Sequence, residues 1–315
     1  MHSRDLIEQY KSYVQDWRRY FHKHPELSNE EFETTKILAK ELESMGVEVH
    51  VDTERGIGLI GIIHGAKPGK AIALRADIDA LPVHEHNTVD YKSEVEGKMH
   101  ACGHDGHMAI LLGAAKMLMS MKDRIEGDVY LAFQPAEETG AGAPDFIKFG
   151  DWYDKVGAIF GGHVWIDLPA GLVSVEEGPR MAASSQITIN VKGKQGHGAQ
   201  PHQAVDAIVV ASAIVMNLQT VVSRNVSALD SLVLTIGNIH SGSEWNVIPG
   251  EASLGGTVRF FDPNQEQYIV DTIRRIVEHT AEAYGATATL EYVKKVPPTI
   301  NDPESSELAE RVVID

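Results

Sequence analysis

The chain has 315 residues, enough for two domains and a sizeable core. Its 45 Asp and Glu against 28 Lys and Arg give a formal charge of −17 with no basic runs, which argues against nucleic acid and anionic membrane as main partners. One Cys excludes an intrachain disulfide and fits a reducing, cytoplasmic compartment. The charged lead-in Met1-His2-Ser3-Arg4-Asp5 is no signal peptide, and no run of about 18 apolar residues predicts a membrane span.

Residues 4–24 place Leu6, Ile7, Tyr10, Tyr13, Val14, Trp17 and Phe21 at spacings of three and four, which predicts an amphipathic helix that stops before Pro25. A second helix is expected over 30–45, ended by Gly46. Strands are expected over 47–51, 58–64 and 71–76. The third runs into Arg75-Ala76-Asp77-Ile78-Asp79-Ala80-Leu81-Pro82. On an extended segment Asp77 and Asp79 face one side, where they suit a metal or a histidine that holds one. Capping or pairing with Arg75 is the plainer alternative.

Next comes His100-Ala101-Cys102-Gly103-His104-Asp105-Gly106-His107. Three His, the only Cys and one Asp within eight residues form a dense set of metal donors. The apolar run 108–118 reads as a buried helix, so the cluster sits on a loop at a helix N-terminus. A strand over 127–133 ends in Gln134-Pro135-Ala136-Glu137-Glu138. Adjacent carboxylates can divide metal binding from proton transfer, although a solvated acidic turn is the ordinary fate of such a pair. A strand over 156–160 ends in Gly161-Gly162-His163. Strand ends of this kind gather along one edge of an α/β sheet, and that convergence outweighs any single motif.

Near 180 the pattern changes. Strand 186–192, helix 204–222, strands 232–239 and 251–260, helix 265–284 and strand 286–292 describe a split β-α-β, ferredoxin-like unit. It is placed over 183–296, inserted in a larger α/β domain of which 1–182 is the first part and 297–315 the start of the return. His197 lies between glycines in Gly196-His197-Gly198-Ala199-Gln200-Pro201-His202.

These motifs, with Phe21-His22-Lys23-His24-Pro25-Glu26-Leu27-Ser28 and Asn246-Val247-Ile248-Pro249-Gly250, resemble the M20-type metallopeptidases over essentially the whole chain. The resemblance is to the amidohydrolase branch that includes hippurate hydrolases, N-acetyl-diaminopimelate deacetylases and plant auxin-conjugate hydrolases. It implies a zinc-exopeptidase-like catalytic domain with an inserted dimerisation domain, and a site for two divalent ions (Mn, Zn, Co or Ni). By it, Cys102, His104, Glu138 and His163 are metal ligands and Glu137 is the general base. Asp79 orients a ligand and Asp77 lies in the active-site segment. His197 steadies the oxyanion in the partner subunit's site of a homodimer, Asn246 lies near the substrate, and Arg259 is a weaker candidate for its carboxylate.

The chemistry agrees. A divalent metal lowers the pKa of water from about 15.7 to about 7, and a donor aimed at an oxyanion is worth roughly 3–4 kcal/mol. Members of this family usually continue past position 315, with a late histidine as a further ligand. No His follows His279, so the chain is expected to lack the last part of the catalytic domain. The function expected is a metal-dependent amidohydrolase acting on N-acyl amino acids. The alternatives are a dipeptidase or aminoacylase on small peptides, and a non-catalytic binding protein on the same shell.

Overall fold

Apolar spacing in the first helix, α1 (Ser3–Lys23), buries Leu6 and Phe21 and packs Tyr13 and Trp17 against the core. The structure, a computed structural model, describes residues 3–314. Met1 and His2 of the expected lead-in lie outside it, as does Asp315. The chain divides into two units, Met1–Leu172 and Val173–Asp315.

In the first unit α1 is followed by α2 (Phe32–Ser44), β1 (Glu48–Val51), β2 (Leu59–His64), β3 (Ala71–Asp77), α3 (His104–Ser120), β4 (Asp128–Gln134), α4 (Gly142–Phe146), α5 (Trp152–Lys155) and β5 (Val156–Gly161). The sheet order is β1-β2-β4-β3-β5. β4 runs parallel to β3, and β3 to β5, whereas β1 and β2 are antiparallel. Three parallel strands therefore end on one edge, the place where α/β sheets bind ligands. The sequence 58–76 has a turn between two strands, yet β2 and β3 are not partners, because β4 lies between them.

β4 reads as continuously apolar because both its faces are covered. Val129, Leu131 and Phe133 meet Phe21, Leu38, Leu42, Met108 and Leu112 of the first three helices. Tyr130 and Ala132 meet Phe146 and Trp152 on the other side. α3 begins a turn earlier than the apolar run indicates. Gly103 turns the chain at φ 93°, and a Cβ there would lie 2.3 Å from Val164 Cγ2. His104 and His107 are thereby helical and share a face at a spacing of three.

The second unit contains β6 (Gly178–Met181), β7 (Ser184–Lys192), β8 (Gly196–His197), α6 (Ala207–Thr220), β9 (Leu232–Ser241), β10 (Val247–Ile248), β11 (Glu251–Phe260), α7 (Glu266–Ala283), β12 (Thr287–Val296), β13 (Thr299–Asn301) and α8 (Pro303–Ile314). An antiparallel sheet of order β12-β7-β11-β9 carries α6 and α7, the split β-α-β order. Ile187, Ile189 and Val191 alternate into its core, as their spacing predicts. β6 pairs with β13, a ladder the sequence does not announce.

α6 starts later than its apolar run, because Val205 pairs with Lys194 and Asp206 caps the helix by accepting from Ile208 N at 2.9 Å. Residues Ala207–Asn225 are long and apolar enough to cross a membrane, with mean hydropathy 1.5. One face goes into the unit's own core, where Val210, Ala211, Ile214 and Leu218 are buried on the sheet, while Ile208, Val209 and Met216 stay exposed. β12 runs on past the expected end at 292, because Val293 and Lys294 still pair with Gln186 and Ser185.

Candidate metal centre

The parallel strands and α3 deliver their chemistry to one place. β3 ends at Asp77, with Asp79 just beyond; β4 leads to Glu137 and Glu138; β5 leads to His163; and the first turn of α3 holds His104 behind Cys102. Single donor atoms of Cys102, His104 and His163 lie within 4.8 Å of one another, and so do those of His104, Glu137 and Glu138. His104 belongs to both groups. Seven of the residues expected from the sequence are thus brought together.

Asp77 and Asp79 embrace His104 from two sides. His104 Nδ1 donates to Asp79 O at 2.8 Å, and Asp79 Oδ1 lies 3.3 Å from the same nitrogen. Asp79 Oδ2 accepts from Ser28 Oγ at 2.6 Å and from Glu138 N at 3.0 Å. The proton on Nδ1 leaves Nε2 as the outward atom, 3.6 Å from Asp77 Oδ2, 3.8 Å from Glu138 Oε1 and 4.0 Å from Glu137 Oε2. His163 is set the same way: Nδ1 donates to Val164 O at 2.6 Å, and Nε2 stands 3.5 Å from Cys102 Sγ. An Nδ1 tied to a carbonyl, which turns Nε2 toward neighbouring donors, is how proteins prepare imidazole for a metal.

A third group, Asp77, His104 and His107, also has donor atoms in range. Two of its members, Asp77 and His107, are committed elsewhere. Asp77 Oδ1 accepts from His107 Nδ1 at 2.5 Å and Oδ2 from Arg75 NH1 at 2.8 Å. His107 Nε2 accepts from Val164 N at 3.0 Å. This relay holds Val164 by its amide, and the carbonyl of the same residue accepts from His163 Nδ1. The Arg75 pairing considered for Asp77 is therefore present together with its place at the centre.

Fit to a metal can be tested on the donors. His104 Nε2, Asp79 Oδ1 and Glu138 Oε1 are buried atoms without a hydrogen bond among the described residues. Unpaired buried polar atoms are costly unless something satisfies them. A tetrahedral zinc with bonds of about 2.3 Å to sulfur and about 2.0 Å to nitrogen sets the two atoms about 3.5 Å apart, and that is the Cys102–His163 separation. Thiolate, imidazole and carboxylate form a donor set for zinc or its neighbours. The residues fit the group.

The site also favours positive charge. Burial lowers the pKa of His104, but the hydrogen bond to Asp79, contact with Cys102 and the charges of Asp77 and Asp79 outweigh it and push it up to about 11. Burial raises the Asp77 carboxyl, yet His107, Arg75 and His104 hold it well below the usual carboxylate range. Glu137 goes the other way, pushed up by burial and then by Asp77. A metal-bound imidazole is neutral, so a metal held by His104 would displace its proton. Zinc or manganese affinity is therefore expected to rise with pH across the neutral range. Calorimetry in buffers of different ionisation enthalpy should show at least about one proton released per chain at pH 7; a binding enthalpy independent of buffer contradicts this.

The remaining expected residues lie in the second unit. β8 pairs with β10, which sets His197 opposite Val247, and Gly198 N donates to Asn246 O at 2.9 Å. A Cβ at Gly198 would lie 2.7 Å from that oxygen, so His197 and Asn246 are held as close neighbours. His197 Nδ1 accepts from Ala199 N at 3.0 Å, which puts the ring proton on Nε2. Arg259 is exposed on β11, opposite Val233. The sequence offered His107 only as a metal donor and Arg75 only as a partner of Asp77, not as braces of the His163 segment, and it gives no sign of the work of Ser28 or Glu31. The spacing of three from His104 and of two before Asp77 were the available signals for the first two.

A model of Peptidase family M20/M25/M40 matches residues 73–315. Thermostable carboxypeptidase 1 of Saccharolobus solfataricus is 42% identical over 314 residues, 95% of this chain and 79% of that protein. N-acetylcysteine deacetylase of Bacillus subtilis is 42% identical over 285 residues, 90% of this chain and 75% of that protein. Among solved structures, the Bacillus subtilis YXEP protein, described as a dinuclear metal binding peptidase from the M20 family, superposes with a TM-score of 0.87. It is 36% identical, covering 98% of this chain and 80% of its own. The chain belongs to peptidase family M20/M25/M40.

Proposed function

We propose that the chain is a metal-dependent amidohydrolase that splits the amide bond of N-acyl amino acids or related conjugates. The observation that carries this reading is His104, whose free Nε2 joins the Cys102–His163 pair to two adjacent glutamates. Cys102, His104, Glu138 and His163 would hold two divalent ions of Mn, Zn, Co or Ni. When bound, such ions polarise an amide carbonyl and make water a stronger acid.

Glu137 is the general base. Its carboxylate takes a proton from the attacking water, whose oxygen joins the amide carbon, and returns that proton to the amide nitrogen as the C–N bond breaks. In the metal-free site burial and the nearby Asp77 push its carboxyl above the usual glutamate range. Asp79 holds the His104 ring, and Asp77 acts through His107 on the Val164 peptide. His197 Nε2–H is a donor suited to the oxyanion, with Asn246 beside the substrate and Arg259 for its carboxylate.

In this reading residues 1–182 and 297–315 make a cytoplasmic enzyme's catalytic domain. Residues 183–296 are an inserted domain that dimerises and carries His197 to the site of a second copy. Exposed Ile208, Val209 and Met216 on α6 support a protein contact there. Met216→Lys is expected to weaken the dimer by at least about tenfold in Kd, about 1.4 kcal/mol. Sedimentation across a concentration series reads this, and an unchanged dimer removes α6 from the interface.

The experiment that tests the function is a panel of N-acetyl, benzoyl and succinyl amino acids with added manganese or zinc. A carboxypeptidase acting on short peptides is the second reading, favoured by the names of two relatives 42% identical. Dipeptides in the same panel separate the two. No turnover of either class removes both and leaves a binding protein.

A further inference from the structure

Among the motifs of the chain, the segment between α1 and α2 has been given no work. It runs behind both acidic strand ends. Glu26 O accepts from Ala80 N at 2.8 Å, Leu27 bridges Ala80, and Ser28 donates to Asp79, all at the end of β3. Three residues later the segment reaches the end of β4. Glu31, with 0% of its surface exposed, accepts from Ala136 N through Oε1 at 2.7 Å.

Ala136 is one of two non-glycine residues with positive φ among the described residues, at 53°, and it is also fully buried. An alanine there needs an imposed reason, since the left-handed region disfavours a Cβ. It is the residue immediately before Glu137. The turn is clamped on its other sides too. Gly142 N donates to Ala136 O at 3.1 Å, and a Cβ at Gly58 would lie 2.6 Å from Pro135 Cδ. Gly58 N in turn donates to Thr35 Oγ1 at 2.9 Å, and Thr35 Oγ1 donates to Glu31 O at 2.6 Å. Glu31 is thus tied at its carboxylate and its carbonyl to two supports of one turn.

We propose that Glu31 is a positioning residue, whose buried carboxylate holds Ala136 left-handed and thereby aims Glu137 and Glu138 into the metal centre. Consecutive carboxylates point apart, and one left-handed residue before them sets the direction of both. The proposal rests on the amidohydrolase reading for what Glu137 does, while the aim of Glu138 bears on metal binding alone.

The test compares Glu31→Ala, Glu31→Gln and the pair Glu31→Ala with Ala136→Gly. Glu31→Ala is expected to lower kcat by about 10²-fold, the effect of a misplaced catalytic group, with KM little changed. Zinc affinity, read by competition with a chromophoric chelator, should fall about 10–100-fold. Burial pushes the Glu31 carboxyl up to about 7, so the neutral Gln is a close stand-in that keeps the acceptor oxygen. Glu31→Gln should retain most of both properties. Glycine at 136 takes positive φ freely, and the double variant should recover at least about tenfold of the lost kcat.

If Glu31→Ala does not fold, Glu31→Asp withdraws the acceptor by one methylene and is expected to show the same losses. A folded Glu31→Ala or Glu31→Asp with wild-type kcat and zinc affinity overturns the proposal, as does Glu31→Gln failing as badly as Glu31→Ala. Should the wild type hydrolyse no acyl amino acid, the functional reading fails, and zinc affinity still decides the role of Glu31.

Discussion

Glu137→Gln is expected to lower kcat by about 10²–10⁴-fold, the range for loss of a positioned general base, with bound metal unchanged. Glu137 Oε2 stands 4.0 Å from His104 Nε2, close to the proposed ions, and its side chain is 41% exposed, open to water and substrate. The amide of Gln preserves shape and hydrogen bonding but takes up no proton at neutral pH. Elemental analysis of the variant beside steady-state kinetics separates the two roles assigned to the adjacent glutamates. A loss of less than tenfold with full metal content shows that another group carries the proton.

His104→Ala has a different expected signature: metal and activity go together, and the fold weakens. The ring is fully buried and touches every acidic group of the centre, with Asp77 at 3.6 Å and Asp79 at 3.3 Å. Asp77 and Asp79 are each 1% exposed, so removing the cation between them leaves buried carboxylates with less compensation. Breaking a buried charged pair costs about 3–5 kcal/mol, which thermal unfolding of the metal-free proteins would read as a lower midpoint. Losing the metals removes several kcal/mol of barrier lowering, about 10³-fold in kcat or more. Metal retained at the wild-type level in His104→Ala contradicts the ligand assignment.

The convergence of these candidate residues was legible because they sit at strand ends. Asp77, Asp79, Glu137, Glu138 and His163 each follow an apolar run, and parallel β3, β4 and β5 bring such ends to one edge. Cys102 and His104 stand out as candidates by donor density alone. The bracing residues were hidden for a physical reason. Glu31 and Ala136 are 105 positions apart, and no local pattern ties a glutamate before one helix to a turn after a strand. The bond between His107 and the Val164 amide likewise joins two elements through a backbone group that carries no residue code.

Boundaries shifted where backbone chemistry overrode apolar spacing. α3 gained its first turn because Gly103 supplies a left-handed start, and α6 lost its first turn to the Asp206 cap. The β6–β13 ladder was not foreseen, since neither short strand has an alternating pattern; a proline sits in one and only three residues in the other.

The most direct measurement is the number of divalent ions bound per chain, by elemental analysis of protein purified without chelator and dialysed against zinc or manganese. About two ions are expected, as two-metal hydrolases hold, falling in Cys102→Ala, His104→Ala, Glu138→Ala and His163→Ala. A folded wild-type chain that binds none contradicts this.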